Sequence, residues 1–360
     1  MPRLLILAVH RPDRSPSQRF RIEQYIDFLS NHGYQIHFSW LLNKTDDKVF
    51  YSPAHLIGKT IVVTKGVVKR LSELIKPSAY DIVFIQREAI MLGTPIIERL
   101  WKSKRAKIVY DFDDSIWLSD VSNANKKFSW LKNPSKTSSL IRCAHLVFAG
   151  NEYLAQYARD RNENVHIVPT TIDLDEYKPN HNDKSINGQV CIGWSGSTTT
   201  IKHFETVIPV LKEIKSIYKD KVSFSVIGDG GYTNQALEIK GVDWSKENEL
   251  KDLSSMDIGM MPLPDDMWAK GKCGLKGLQY MAMEVATIMS PVGVNTDIIN
   301  HRKNGILAEG QRQWIDSLTE LIDNFDFRQE LGLEGRKTVA DKYSTESQRE
   351  KYLELLNSLL

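Results

Sequence analysis

The chain is short of cysteine, of long apolar runs and of net charge, and each shortage removes a class of protein. Its three cysteines, Cys143, Cys191 and Cys273, are odd in number and far apart in 360 residues. No CxxC or Cys/His spacing accompanies them, which argues against a zinc site or a disulfide framework and points to a reducing cytosol. The first apolar run, Leu4–Val9, sits between Arg3 and Arg11. It is too short for a signal-peptide core or a membrane span, and no later run reaches spanning length. Net charge is only +2, and no recognised binding motif accompanies the basic residues, so nucleic acid is not the expected partner.

What is present is an ordinary globular composition, 41% hydrophobic and 26% charged, in a chain long enough for two domains. The first half alternates short apolar runs (Leu4–Val9, Asp81–Gln86, Ala106–Tyr110, Leu146–Ala149) with helical spacing, as over Arg19–Asn31 and Lys59–Lys76. Tyr34–Trp40 alternates like a strand. A polar linker, Tyr177–Asp183, precedes a second series of strands, Val190–Trp194, Val222–Ile227, Ile258–Pro262 and Ile288–Ser290. Short apolar strands alternating with helices predict parallel sheets covered on both faces, hence an α/β chain of two Rossmann-like, doubly wound domains facing a cleft. The expected boundaries are 1–177, 184–343 and a final helix, 344–360, for which the sequence leaves the packing partner open, the N-terminal domain being one option.

Three stretches of the second half suit an anionic ligand. Gly271-Lys-Cys-Gly-Leu-Lys-Gly-Leu-Gln279 opens a helix with a glycine turn, so the unpaired N–H groups around Gly274 and Leu275 and the positive helix end face whatever precedes them. Lys270, Lys272 and Lys276 add charge, and the Gln279 side chain is able to bond a pair of hydroxyls. The same pattern fits an ordinary buried helix with solvated lysines. In Ile192–Lys202, Ser195, Gly196 and Ser197 form a small-residue loop that lets a ligand approach the backbone, with Lys202 at the helix start beyond it. Val226-Ile-Gly-Asp-Gly-Gly231 ends a strand in glycines, and Trp244 follows.

These stretches resemble the family 4 retaining glycosyltransferases of GT-B architecture, in a bacterial surface-polysaccharide branch. The signature is Leu278–Asn295, LQYMAMEVATIMSPVGVN, beside the family's Glu-x7-Glu and its Ala-Met-Ala-x-Gly-x-Pro-Val run. By that resemblance Gln279 takes the place of the glutamate that holds the ribose hydroxyls, and Gly271 that of the glutamate that contacts the donor sugar. The family's Gly after Ala-Met is Glu284, and its Pro is Ala286. Lys202 matches the phosphate lysine, Ser197 stands in place of the phosphate arginine, and Gly228 and Trp244 fall beside the nucleobase. The resemblance implies a nucleoside diphosphate sugar (UDP or GDP) as donor, no obligatory cofactor or metal, and a glycan or lipid-linked glycan as acceptor.

In the first half Tyr110-Asp-Phe-Asp-Asp114 places three carboxylates at a strand's carboxyl end, where open α/β sheets hold ligands, and crowding is expected to raise at least one pKa. The resemblance, in which a histidine commonly sits at this strand end near the acceptor, implies Asp113 as the acceptor-side catalytic group, with Lys202 and Lys272 stabilising the leaving diphosphate. Asp111 and Asp113 also spell the DxD of metal-dependent transferases, which leaves a metal-dependent reading open. By the resemblance of the segments Ser17–Ile22, Phe84–Ala89 and Ala149–Leu154 to the same branch, Arg19, Arg21, Arg87 and Glu88 are candidates to line the cleft, with Asp114 on the acceptor side. Because the usual glutamates are missing, a catalytically weakened sugar-nucleotide-binding subunit is the other alternative.

Residues 1–175 carry 25 Lys and Arg against 18 Asp and Glu, whereas the rest carries 22 against 27. Basic residues interleaved with apolar and aromatic ones over Lys59–Lys76, Arg99–Lys107 and Lys126–Lys132 suit peripheral contact with an anionic membrane through the N-terminal domain. The expected location is the cytoplasm, at the inner face of the membrane. The same segments also fit solvated amphipathic helices.

Overall fold

A computed structural model describes residues 1–52, 55–75, 80–118, 133–180 and 188–360. Lys76, the Lys126–Lys132 segment and the His181–Asp183 end of the expected linker lie outside the described residues. The chain forms two units, one made of Met1–Thr170 with Gln348–Leu360, the other of Thr171–Ser347.

The first unit is built on a six-stranded parallel sheet in the order β2-β1-β3-β4-β5-β6. Its strands are β1 (Arg3–His10), β2 (Gln35–Leu42), β3 (Ile82–Gln86), β4 (Lys107–Phe112), β5 (Leu146–Ala149) and β6 (Val165–Ile167). Leu4 through Ala8 are completely buried, as a strand covered on both faces requires, while the alternating β2 takes an edge. The long helix α1 (Leu56–Leu74) precedes β3, and α2 (Ile96–Lys102) follows it.

The expected helix over Arg19–Asn31 is broken. A short turn over Pro16–Arg19 is followed by Ile22 at φ −136°, and regular helix resumes only at Ile26–Asn31. The cause is Arg21, which turns inward with its side chain fully buried and bonds Asp111 and the Val168 carbonyl. A buried guanidinium needs those partners, and continuous helix there would have directed it elsewhere. The last helix, Thr345–Asn357, adds Tyr352 and Leu356 to the core of this unit. Tyr352 stacks on Tyr25 at 4.4 Å between ring centres and meets Phe148 edge-on at 5.0 Å.

The second unit has a five-stranded parallel sheet. Its strands are β7 (Val190–Ser195), β8 (Val222–Ile227), β9 (Ile258–Met261), β10 (Ala286–Met289) and β11 (Ile306–Leu307), ordered β11-β10-β9-β7-β8. The helices that matter for the site are α3 (Ile201–Glu205), α4 (Lys246–Ser254) and α5 (Leu275–Ala282). Residues 171–177, expected in the N-terminal domain, pack in this unit: Ile172 N donates to the Tyr343 carbonyl at 2.8 Å and the Tyr177 hydroxyl to Glu249 at 2.9 Å. Glu284, where the resemblance has glycine, keeps the left-handed backbone that glycine would supply, at φ +56°.

Candidate functional site

In the second unit the loops after β7 and β8 press together backbone to backbone. Gly196 N donates to the Ile227 carbonyl at 2.9 Å. Gly228 has φ +106°, and a Cβ there would stand 2.0 Å from the Gly196 carbonyl oxygen. No side chain fits at Gly228 because the other loop's backbone fills the space, and none fits at Gly196 because the Trp194 ring does. Gly228 N donates to the Val242 carbonyl at 2.7 Å, which draws the stretch leading to Trp244 alongside β8. Ser195 N donates to the Tyr280 hydroxyl at 2.7 Å, tying the end of β7 to α5. Ser197 is exposed and belongs to a turn closed by Thr200 Oγ1, which accepts from Ser197 N at 2.9 Å.

Gly274, at φ +70°, caps the start of α5. Just inside that start, Lys276 lies over the Trp194 ring, 4.4 Å from its centre, and donates a long hydrogen bond to Thr200 Oγ1 at 3.4 Å. Among the described residues no carboxylate lies within ion-pair distance of it. Burial, and then repulsion from Lys272, push the Lys276 ammonium down to about 7. Buried His203 on α3 reports the same field: burial first, then Lys276, Lys202 and Lys272, push its imidazole down to about 4, against Asp266. Lys202 is exposed on α3, and Lys272 sits over Trp268 at 5.3 Å. The fold thus gathers three lysines at the start of α5, and a multiply charged anion is what such an arrangement accommodates. His203 was not legible as part of it, because nothing in its neighbours along the chain marks it.

On the other side, Gln279 is buried and its Nε2 donates to Tyr177 Oη at 3.0 Å and to Glu249 Oε1 at 3.1 Å. Glu249 also accepts from Trp244 Nε1 at 3.0 Å. Ser195, Gly196, Ser197, Gly228, Trp244, Gly274, Leu275, Lys276, Gln279, Lys202 and Lys272 therefore lie on connected segments of one unit. Tyr177 and Glu249, which no motif singled out, join them.

The acceptor-side candidates form a network in the first unit. Asp113 Oδ1 accepts from Ser17 Oγ at 2.6 Å and from Arg87 Nε at 2.7 Å, while a second Arg87 nitrogen reaches Asp114 at 3.3 Å. Arg87 holds a left-handed backbone, φ +60°. Glu88 pairs with Lys136 at 2.8 Å, and Arg19 is buried against Phe20, 5.0 Å from its ring centre. Burial raises the Asp113 carboxyl, but Arg87 outweighs it and leaves the group below its ordinary range. The expected raised carboxyl is Asp111 instead, where burial exceeds the pull of Arg21. Ionised Asp113 is a weak base suited to orientation, and Asp111 is sealed against Arg21. Of the two DxD carboxylates, Asp111 pairs with Arg21 and Asp113 with Arg87. Among the described residues no group of three or more His, Cys, Asp or Glu side chains is disposed to hold a metal ion.

Two parallel α/β units are the architecture of the GT-B glycosyltransferases, and the whole chain superposes on them. Sucrose-phosphate synthase from Thermosynechococcus elongatus matches with a TM-score of 0.69 at 12% identity, covering 100% of this chain and 99% of that one. HepE from Anabaena, solved with UDP and glucose, matches with a TM-score of 0.65 at 12% identity over 99% and 100% of the two chains. Residues 189–324, which hold most of the site just described, match the model of the family Glycosyl transferases group 1. A 65-residue stretch is 38% identical to the poly(ribitol-phosphate) alpha-N-acetylglucosaminyltransferase of Staphylococcus aureus (strain COL), covering 18% of this chain and 13% of that protein. Among the described residues no helix is long and apolar enough to cross a membrane.

Proposed function

We propose that this protein transfers a sugar from a UDP-sugar to a hydroxyl of a glycan or lipid-linked glycan, with retention at the anomeric carbon, in the synthesis of a cell-surface polysaccharide. The observation that carries the reading is the lysine cluster at the start of α5, in which Lys276 has no carboxylate partner among the described residues and which suits a diphosphate. In the reaction the bond from the sugar's anomeric carbon to the diphosphate oxygen breaks and a bond to the acceptor oxygen forms. The acceptor's proton passes to the departing diphosphate. Lys202, Lys272, Lys276 and the N–H groups after Gly274 stabilise the charge that develops on that leaving group. Asp113, held ionised by Arg87, orients the acceptor rather than taking its proton. UDP is preferred over GDP because a structural relative of the same fold was solved with UDP.

UDP is expected to raise the thermal midpoint of the protein by mass action, equally with and without EDTA. Lys202→Ala is expected to cut that affinity about tenfold, the scale of one charge-assisted hydrogen bond. An unchanged affinity in this variant, or a shift that appears only with Mn²⁺, overturns the phosphate assignment. UDP binding with no transfer to any glycan acceptor favours a binding subunit over an enzyme.

Membrane contact belongs to the same proposal. Ile57, Ile61, Val68 and Leu71 lie exposed along α1 at helical spacing, with Lys59 and Lys65 nearby. Such a face suits the headgroup layer of an anionic bilayer. The protein is expected to sediment with phosphatidylglycerol vesicles and not with phosphatidylcholine ones, and Ile57→Glu with Ile61→Glu to abolish it. Sedimentation unaffected by that pair sinks the assignment of this face.

A further inference from the structure

Gln279 stands where the resemblance puts a ribose-holding glutamate, and its neighbours fix which end of its amide faces outward. Nε2 donates both to Glu249 Oε1 and to Tyr177 Oη. A carboxylate oxygen only accepts, so turning the amide over would set oxygen against oxygen. Tyr177 closes the triangle by donating to Glu249 Oε2 at 2.9 Å, and its own oxygen then accepts from Gln279. Both amide hydrogens are consumed inward. Among the described residues Oε1 accepts no hydrogen bond, and it is not among the fully buried polar atoms without partners, so it opens to the surface. Glu249 itself is buried, and the same carboxylate holds the indole of half-buried Trp244.

We infer that Glu249 is the positioning residue for the nucleoside half of the donor: it locks Gln279 as a carbonyl-only acceptor for the ribose 2′- and 3′-hydroxyls and fixes the Trp244 ring beside the base. The inference rests on the nucleotide reading above. It also accounts for the glutamine. A glutamate at 279 would stand about 3 Å from Glu249, where the second of two carboxylates gives up its proton only well above the ordinary carboxylate range. Glu249 supplies the buried carboxylate from α4, and Gln279 supplies on α5 an acceptor oxygen without a second charge. The amide carbonyl does for a diol what one oxygen of a carboxylate does, because it accepts and has nothing to donate.

The test is calorimetric titration of the full chain with UDP and with 2′,3′-dideoxyuridine diphosphate. The wild type is expected to prefer UDP about tenfold, the scale of hydrogen bonds to the diol. Glu249→Gln frees the amide to turn and is expected to bring that preference within about twofold. Gln279→Glu alone is expected to weaken UDP binding, increasingly so as pH rises and both carboxylates ionise. The exchanged pair Glu249→Gln with Gln279→Glu restores one carboxylate facing one amide, and with it the preference. That pair carries the test by itself if the single variants fold poorly. Retention of the full preference in Glu249→Gln, or an exchanged pair that binds UDP without preference, overturns the inference. A wild type that binds both nucleotides equally overturns this inference alone, and one that binds neither overturns the donor reading with it.

Discussion

Replacing Lys276 by methionine is expected to weaken UDP binding by about 30-fold, the upper scale of a charge-assisted hydrogen bond in a desolvated place, and at the same time to raise the thermal midpoint near pH 7. The two effects share one cause. The Lys276 ammonium is pushed down to about 7 by burial and by Lys272, whereas in the unfolded chain a lysine keeps its proton to about 10.4. Between those values the unfolded chain binds the extra proton, so stability rises with pH through that window. Below about 7 the folded protein carries the full cost of the partly desolvated charge. Methionine fills the same space without that cost, so its stabilising effect is largest at neutral pH and fades towards pH 10.

The sign for the ligand is opposite. A diphosphate favours the ammonium form, so above pH 7 binding must take up a proton, and the affinity for UDP is expected to fall as pH rises from 7 to 9. Lys276→Arg keeps its charge throughout and should flatten that dependence. Calorimetry in buffers of different ionisation enthalpy measures the proton uptake directly. A wild-type affinity that does not change between pH 7 and 9 rules out Lys276 as a titrating phosphate ligand.

The second large effect concerns Arg21. Arg21→Met leaves Asp111 fully buried without its cation, and breaking such a pair from one side costs about 3–5 kcal/mol. The loss should appear as a lower denaturant midpoint for the first unit. With Arg21 gone, the Asp111 carboxyl rises further above its unfolded value. Its contribution is then present below the unfolded pKa and is lost as pH climbs through the folded one, so the variant is expected to be most stable in mild acid. Arg21→Met with Asp111→Asn removes the charge as well and should recover part of the loss. A double variant no more stable than Arg21→Met alone contradicts the assignment.

The parallel strands were readable because a strand buried on both faces spells a continuous apolar run, as Leu4–Ala8 does, and the glycine-bounded loops after β7 and β8 follow from the same logic. Local periodicity failed where a distant partner decided the conformation. Arg21 leaves its helix for Asp111, ninety positions away in the sequence. Tyr177 reads as the start of a linker, yet it closes a triangle with Glu249 and Gln279, 72 and 102 positions on. Asp113 was legible as a carboxylate at a strand's carboxyl end, but not its depressed pKa, since Arg87 is brought beside it only by the pairing of β3 with β4. The lysines of the site were legible one by one; their shared field, felt by His203, required the fold.

The return of residues 348–360 to the first unit constrains the order of events during synthesis. The second unit is one continuous stretch, Thr171–Ser347, all of which leaves the ribosome before Gln348 does. The first unit is emitted earlier but must wait: until Tyr352 and Leu356 emerge, the rings of Tyr25, Phe84 and Phe148 lack their covering helix. The N-terminal half is thus the last to finish, and a chain interrupted before residue 348 would display an uncovered aromatic surface for chaperones or proteases to find.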